Sequence, residues 1–343
     1  MNYLILILSL ALLVKGVDIL VRSASKMAKI LGVPAFIVGL SIVAFGTSAP
    51  EAAIGFFSGL KGANQISLGD VIGSSIANIT LILGLTAIFY PLRVDPVISR
   101  REIPLSFLVQ AILAGMIYTG IFLSRFESII LLTGFVLFIA YTGIKAREII
   151  QGQKPGDEAE RELFDLLKSE KIIADEAADG KTGSGTSAEV KEKEGIARLV
   201  MSFLVGLSAL ILGGNFVVTS SVAIAHSLGL SEEFIGLTVI AFGTSLPELV
   251  TCLVAAFRKE EEIAVGNIIG SNILNILFVL GLSGSISPIV SNPEVFTDIG
   301  MMLLTTVLLF VPSFFYQNIS RLTGIIFVSS YVLFLALKIS GIR

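Results

Sequence analysis

Two glutamates, Glu51 and Glu248, stand in the middle of long apolar runs, each just after a proline and four residues after a threonine. A charged side chain at mid-bilayer depth costs about 2.5–3.5 kcal/mol on insertion scales, so its presence there marks a functional site. Carboxylates brought together in low dielectric repel each other, and a cation between them relieves the repulsion. Further polar residues follow each glutamate. Asp70, Ser74 and Asn78 recur at i, i+4, i+8, as do Asn267, Ser271 and Asn275, which lines each set along one helix face. Carboxylate, amide and hydroxyl oxygens form a hard donor set suited to Ca²⁺ and Na⁺. Soft metals want thiolate or imidazole, and the chain has one cysteine, Cys252, and one histidine, His226. Cys252 reads as a small packing residue and His226 as part of an outer loop.

The prolines add backbone oxygens to this set. Pro50 and Pro247 cannot donate the helical hydrogen bond, which leaves carbonyls near Gly46 and Thr47, and near Gly243 and Thr244, without their usual partners. Unpaired backbone at membrane depth survives only where it lines a cavity or meets an ion.

The two clusters are copies. GLSIVAFGTSAPE (Gly39 to Glu51) returns as GLTVIAFGTSLPE (Gly236 to Glu248), 197 residues later. The same offset relates GDVIGSSIANITLILGL (Gly69 to Leu85) to GNIIGSNILNILFVLGL (Gly266 to Leu282), and Gly16 to Gly213. A period this long excludes a solenoid and implies two homologous halves.

Of 343 residues, 54% are hydrophobic and 15% charged, and the mean hydropathy is +0.90. The predicted fold class is therefore an all-α polytopic membrane protein. The N-terminal stretch lacks the basic region and cleavage site of a secretory signal and reads as the first membrane helix. Runs long enough to span a bilayer fall at 2–22, 34–60, 66–91, 102–122, 126–147, 197–220, 233–257, 263–288, 297–316 and 320–339, about ten transmembrane helices in all. An odd number per half makes them two inverted five-helix repeats. The domains are a first membrane repeat at 1–147, a linker at 148–195 and a second membrane repeat at 196–343.

Loop charges give the orientation. Arg22, Lys26, Lys29, Arg93, Arg100, Arg101, Arg258, Lys259 and Arg321 fall on one side of this arrangement, whereas the opposite loops carry only Lys61 and Arg125. The positive-inside rule makes the first side cytoplasmic, with linker 148–195 cytoplasmic and both termini outside. The linker is rich in Glu, Lys, Gly and Ser and reads as a solvated tether, with a short amphipathic helix in ERELFDLLKSEKIIADEA. Lys15 and Asp18, about a turn apart, read as a local ion pair.

GTSAPE and GTSLPE, paired with GDVIGSSIAN and GNIIGSNILN, resemble the two alpha-repeats of the sodium/calcium exchanger family within the calcium/cation antiporter superfamily. The resemblance covers nearly the whole membrane region of both halves. It implies one central set of metal sites lined by Thr47, Ser48, Glu51, Ser74 and Asn78 from the first repeat and Thr244, Ser245, Glu248, Ser271 and Asn275 from the second. Carbonyls of Ala44 and Ala241 are implied as further ligands. It also implies alternating access, with the first and sixth helices moving across a more rigid core.

The expected function is thus secondary antiport of Ca²⁺ against Na⁺ in the cell membrane, with no cofactor, nucleotide or nucleic acid. No nucleotide-binding loop of the GxxxxGK[ST] type occurs. H⁺-coupled or K⁺-assisted Ca²⁺ exchange is the alternative, followed by a cation channel. An intramembrane hydrolase, which would make the chain an enzyme, requires a general base beside Ser48 or Ser245, and only glutamates are near. The chain departs from the family at Asn275, where several members carry aspartate. With two central glutamates, charge counting predicts fewer Na⁺ per Ca²⁺ or partial H⁺ coupling. Asp70 is expected at the outer approach, because two turns of helix, about 12 Å, separate it from Asn78.

Overall fold

The computed structural model describes residues 2–118, 120, 122–152, 187–227 and 241–340. Apolar composition yields helices at nearly every expected span. They are α1 (Asn2–Leu31), α2 (Ala35–Thr47), α3 (Ala49–Lys61), α4 (Asn64–Phe89), α5 (Ile98–Tyr118), α6 (Arg125–Gly152), α7 (Ser187–Ser227), α8 (Ala241–Thr244), α9 (Leu246–Phe257), α10 (Glu261–Ile286), α11 (Val295–Tyr316) and α12 (Arg321–Ser340). Among the described residues, eight helices are long and apolar enough to cross a membrane, nine if the bent pair α2 and α3 is one span. The chain is a helical, multi-pass integral membrane protein. The expected span at 233–257 lies partly outside the described residues, as do His226's side chain and the amphipathic helix expected in the linker.

Several boundaries differ from the sequence reading. The α1 helix continues through Arg22, Lys26 and Lys29 to Leu31, because helical hydrogen bonding does not stop where apolar side chains do. For the same reason α6 runs to Gly152 and α7 starts at Ser187, on the helix-favouring segment EVKEKE. Asp18 pairs with Arg22 at 3.2 Å and with Arg258 of the second half, instead of with Lys15.

The halves interlock. The α1 and α7 helices pack along each other at glycine contacts: a Cβ at Gly206 would meet Leu20 N at 2.7 Å and Gly16 O at 2.8 Å, and one at Gly213 would meet Leu13 N at 2.7 Å. In each half the third helix is covered by the fifth helix of the other half. Gly84 of α4 abuts Gly324 and Phe327 of α12, and Gly281 of α10 abuts Leu132 of α6. The 197-residue offset relates Gly84 to Gly281.

Short strands tie the halves at both ends. Leu92–Arg93 (β1) pairs antiparallel with Asn318–Ile319 (β4), and Phe122–Leu123 (β2) with Ile289–Val290 (β3). These pairings join the loop after the third expected span to that after the ninth, and the loop after the fourth to that after the eighth. The α4 and α10 helices are buried almost throughout, while α6 and α12 carry exposed residues such as Val136, Leu137, Leu322 and Leu333. Lipid is the solvent that suits such a surface.

Gly206→Ala should lower stability by about 1–3 kcal/mol, because the added methyl meets backbone that cannot repack. A lowered melting temperature of the detergent-solubilised protein checks this.

Candidate cation site

Both motif serines interrupt their helices. Ser48, at φ −82° and ψ 11°, separates α2 from α3 with a 49° bend, and Ser245, at φ −85° and ψ 0°, separates α8 from α9. Pro50 and Pro247 lie in the first turn of the following helix, where a missing N–H costs nothing. The same turn holds Glu51 or Glu248, so each carboxylate sits at the positive end of a half-helix dipole. The break foreseen from the prolines is present, and it divides the expected span at 34–60 into two helices.

The two third-span helices carry a second irregularity. Asn78 and Asn275 each open a π-helical segment, Asn78–Leu83 in α4 and Asn275–Leu280 in α10. A π turn shifts the register of every following side chain, and such turns recur at functional sites. Another π segment, Gly39–Val43, precedes the first motif in α2.

These elements converge in the protein interior. Thr47, Ser48, Glu51, Ser74, Asn78, Thr244, Ser245, Glu248, Ser271 and Asn275 are all buried, with none more than 6% exposed. Ser48 Oγ donates to Glu248 Oε1 at 3.2 Å, which joins the two motifs directly, and Ser271 Oγ donates to the same oxygen at 3.5 Å. Asn275 Nδ2 donates to Ser74 Oγ at 3.3 Å, joining α10 to α4. Glu51 lies within electrostatic reach of Glu248. Thr47 Oγ1 reaches Ala44 O at 3.2 Å, Asn267 Oδ1 at 3.1 Å and Ser271 Oγ at 3.4 Å. The Ala44 carbonyl also accepts from Ser48 N–H at 3.0 Å. Its counterpart Ala241 opens α8, the first described element of that stretch.

Among the described residues, eleven buried side-chain oxygens or nitrogens have no hydrogen-bond partner, and four of them belong to the expected ligands. Glu51 Oε2, Glu248 Oε2, Asn78 Oδ1 and Asn275 Oδ1 are sealed from solvent and have no hydrogen-bond partner. They form two pairs related by the internal repeat. Buried polar atoms are almost always paired, and leaving one unpaired costs about 1–3 kcal/mol, more when it is charged. A hard cation held by four such oxygens removes that cost. Among the described residues no group of three His, Cys, Asp or Glu side chains gathers, in keeping with a donor set of two carboxylates and neutral oxygens.

A family model described as sodium/calcium exchanger protein matches residues 1–143 and 198–340, most of both halves. The chain belongs to this family. It is 33% identical to the sodium/calcium exchanger MaX1 of Methanosarcina acetivorans over 356 residues, covering 97% of each chain. It is also 35% identical to the inner membrane protein YrbG of Escherichia coli over 305 residues, covering 89% of this chain and 86% of that one. Among solved structures, the sodium-calcium exchanger NCX_Mj soaked with Na⁺ and Ca²⁺ superposes with a TM-score of 0.77 at 27% identity, covering 100% of this chain and 98% of that one.

In this exchanger-family chain, two further buried polar residues, Asn272 and Thr251, fall outside the expected donor set. Asn272 accepts from Asn78 Nδ2 at 2.9 Å and donates to Ser75 O at 3.3 Å, which turns Asn78 Oδ1 away from both partners. Its repeat counterpart is Ser75, whose hydroxyl donates to Val71 O at 2.7 Å within its own helix. The difference between GSS and GSN was the available sequence signal. Asn267, expected only as part of a polar face, accepts from Thr47. Thr251, one turn beyond Glu248, is buried with an unpaired Oγ1.

Asp70 lies on α4 eight residues before Asn78, with Oδ2 sealed from solvent and without a hydrogen-bond partner. Gly266 and Gly270 meet Phe36, Leu40 and Ala44 of α2. Gly69 and Gly73 meet nothing within 4 Å among the described residues; the repeat counterparts of Phe36 and Leu40 fall outside them.

Asn272→Ala should weaken cation binding about 10- to 100-fold by freeing the amide that orients Asn78. Calorimetric titration of the purified variant with Ca²⁺ reads this directly.

Proposed function

We propose that the chain is a secondary active antiporter that exchanges Ca²⁺ for Na⁺ by alternating access at one midplane site. The observation that carries this reading is the set of four unpaired, buried oxygens contributed in equal shares by the two repeats. Glu51 and Glu248 neutralise one divalent cation. Asn78 and Asn275 complete its inner coordination, and the hydroxyls of Thr47, Ser48, Ser74, Thr244, Ser245 and Ser271 serve the smaller charge of Na⁺, with the carbonyls of Ala44 and Ala241. Family membership supports the pairing of ions, as do relatives named as sodium/calcium exchangers.

Antiport follows from electrostatics. Two carboxylates facing each other in low dielectric make the unloaded site costly, so it crosses the membrane loaded with one ion type or the other. Broken helices suit this task, since their ends supply dipoles and free carbonyls without side-chain rearrangement. The glycine contacts hold α1 and α7 together as one pair, and it is this pair that moves past the core formed by α4 and α10.

In proteoliposomes, an outward Na⁺ gradient should drive Ca²⁺ uptake, and outward K⁺ or H⁺ gradients imposed alone should not. Glu51→Gln and Glu248→Gln should each reduce uptake about 100-fold or more while leaving a monodisperse protein, since each strips one of two balancing charges from a buried ion. Near-normal uptake by both variants would remove the central site from consideration.

Both termini are proposed to lie outside and linker 148–195 inside the cell membrane. Cys252 is buried, so reporter cysteines can be read against a silent background. An impermeant maleimide should label Asn2→Cys from outside and spare Ser184→Cys; labelling of both would refute the odd number of spans per half.

A further inference from the structure

A cavity of about 420 Å³ lies apart from the cation site, among α2, α5 and α6 of the first half. Its charged lining is Arg100, Arg101 and Glu102 from the start of α5, with Lys145 and Glu148 from the end of α6. Lys145 pairs with Glu148 at 2.6 Å, which leaves the two arginines and Glu102 as the charges available to an occupant. Both arginines are exposed, whereas Glu102 is buried, with Oε2 sealed from solvent and without a hydrogen-bond partner. An unpaired buried carboxylate oxygen is costly, so the inner end of the cavity calls for a donor.

The fold does not require this charge. The 197-residue offset carries Arg100, Arg101 and Glu102 onto Thr297, Asp298 and Ile299, and Ile299 is buried to the same degree as Glu102, each 3% exposed. The backbone differs as well: Ile98–Glu102 is a π-helical segment, whereas its counterpart opens α11 as ordinary α-helix. Such π turns recur at functional sites, and this one is confined to the first half.

A second space adjoins the first. Ile37 of α2 and Thr142 of α6 line both the cavity and a groove of about 430 Å³. Val38, Ile42 and Phe45 of α2 and Ile139 of α6 make the groove apolar. Its two hydroxyls turn back onto their own helices, Ser41 donating to Ile37 O at 2.6 Å and Thr142 to Phe138 O at 2.9 Å. The groove therefore suits a hydrocarbon chain, the arginines suit a phosphate, and Glu102 suits an ammonium. One ligand class has all three parts. We propose that α2, α5 and α6 form a binding site for an aminophospholipid, in which Arg100 and Arg101 hold the phosphate, Glu102 accepts from the primary ammonium, and one acyl chain occupies the groove beside α2. Basic pockets between membrane spans hold lipid headgroups, and the buried carboxylate selects a headgroup that also donates. This goes beyond the antiporter reading and does not depend on it.

The test is native mass spectrometry of the delipidated full-length protein in detergent, titrated with dioleoyl lipids of defined headgroup. Phosphatidylethanolamine should bind about tenfold more tightly than phosphatidylcholine, whose quaternary ammonium has no N–H to donate. It should also bind more tightly than phosphatidylglycerol, which carries the phosphate without an ammonium. Equal binding of the ethanolamine and choline lipids overturns the proposal, and so does a preference for phosphatidylglycerol, which would mark a site for anionic headgroups alone. Glu102→Gln should abolish the preference for ethanolamine over choline while leaving choline-lipid binding unchanged; a preference that survives the substitution removes Glu102 from the site. Arg100→Gln combined with Arg101→Gln should weaken both lipids alike, and unchanged binding there overturns the placement. Soluble phosphoethanolamine should compete about a hundredfold less well than the lipid, because it lacks the chain, and equal competition removes the groove from the site. If Glu102→Gln is not obtained folded, the unmodified protein decides: affinity should fall at each step from ethanolamine through its N-methyl and N,N-dimethyl derivatives to choline, and a flat series overturns the proposal.

Discussion

The structure depends on the cost of burying Glu51 and Glu248 together. An ionised carboxylate in a medium of low dielectric loses its hydration, and a second one nearby adds repulsion to that loss. Few folds tolerate such a pair without a positive partner, and the side chains that donate to Glu248 are the serines Ser48 and Ser271. The local fold moderates the cost in part: each glutamate occupies the first turn of a half-helix, where peptide dipoles favour negative charge. In the proposed exchanger a cation supplies the rest, and charge balance of this kind couples occupancy to movement.

Holding two charges in register calls for a scaffold that does not relax around them. Here the two halves brace each other, the third helix of each lying under the fifth helix of the other, with glycines at the crossing points. The short cross-repeat strand pairs close both ends. By contrast, α1 and α7 meet each other along glycine-lined backbone. In the proposed exchanger the α1 and α7 pair is the part that moves, and the braced core keeps the ligand geometry.

Duplication supplies the symmetry, and divergence supplies the function. Identical halves would bind ions in equivalent surroundings, with no distinction between the sides. The differences at Asp70 and Asn267, and at Ser75 and Asn272, are small in volume but change charge and hydrogen-bond capacity within the polar core. Asn272 orients one amide of the site, and its counterpart Ser75 turns back to its own helix.

Much was legible in the sequence, because lipid imposes simple rules. Apolar runs of about 20 residues marked the spans, the prolines beside Glu51 and Glu248 marked the broken helix, and the 197-residue repeat paired the residues that would face each other. Those signals are local or periodic, so one dimension carries them. What the sequence could not express was register between segments nearly two hundred residues apart. The π turns at Asn78 and Asn275, the bond that joins Thr47 to Asn267, and the link from Asn272 to Asn78 all depend on how helices are rotated and offset against one another. That rotation is decided by side-chain packing over whole helix surfaces, where small steric terms from many residues sum. Only the folded chain performs that sum.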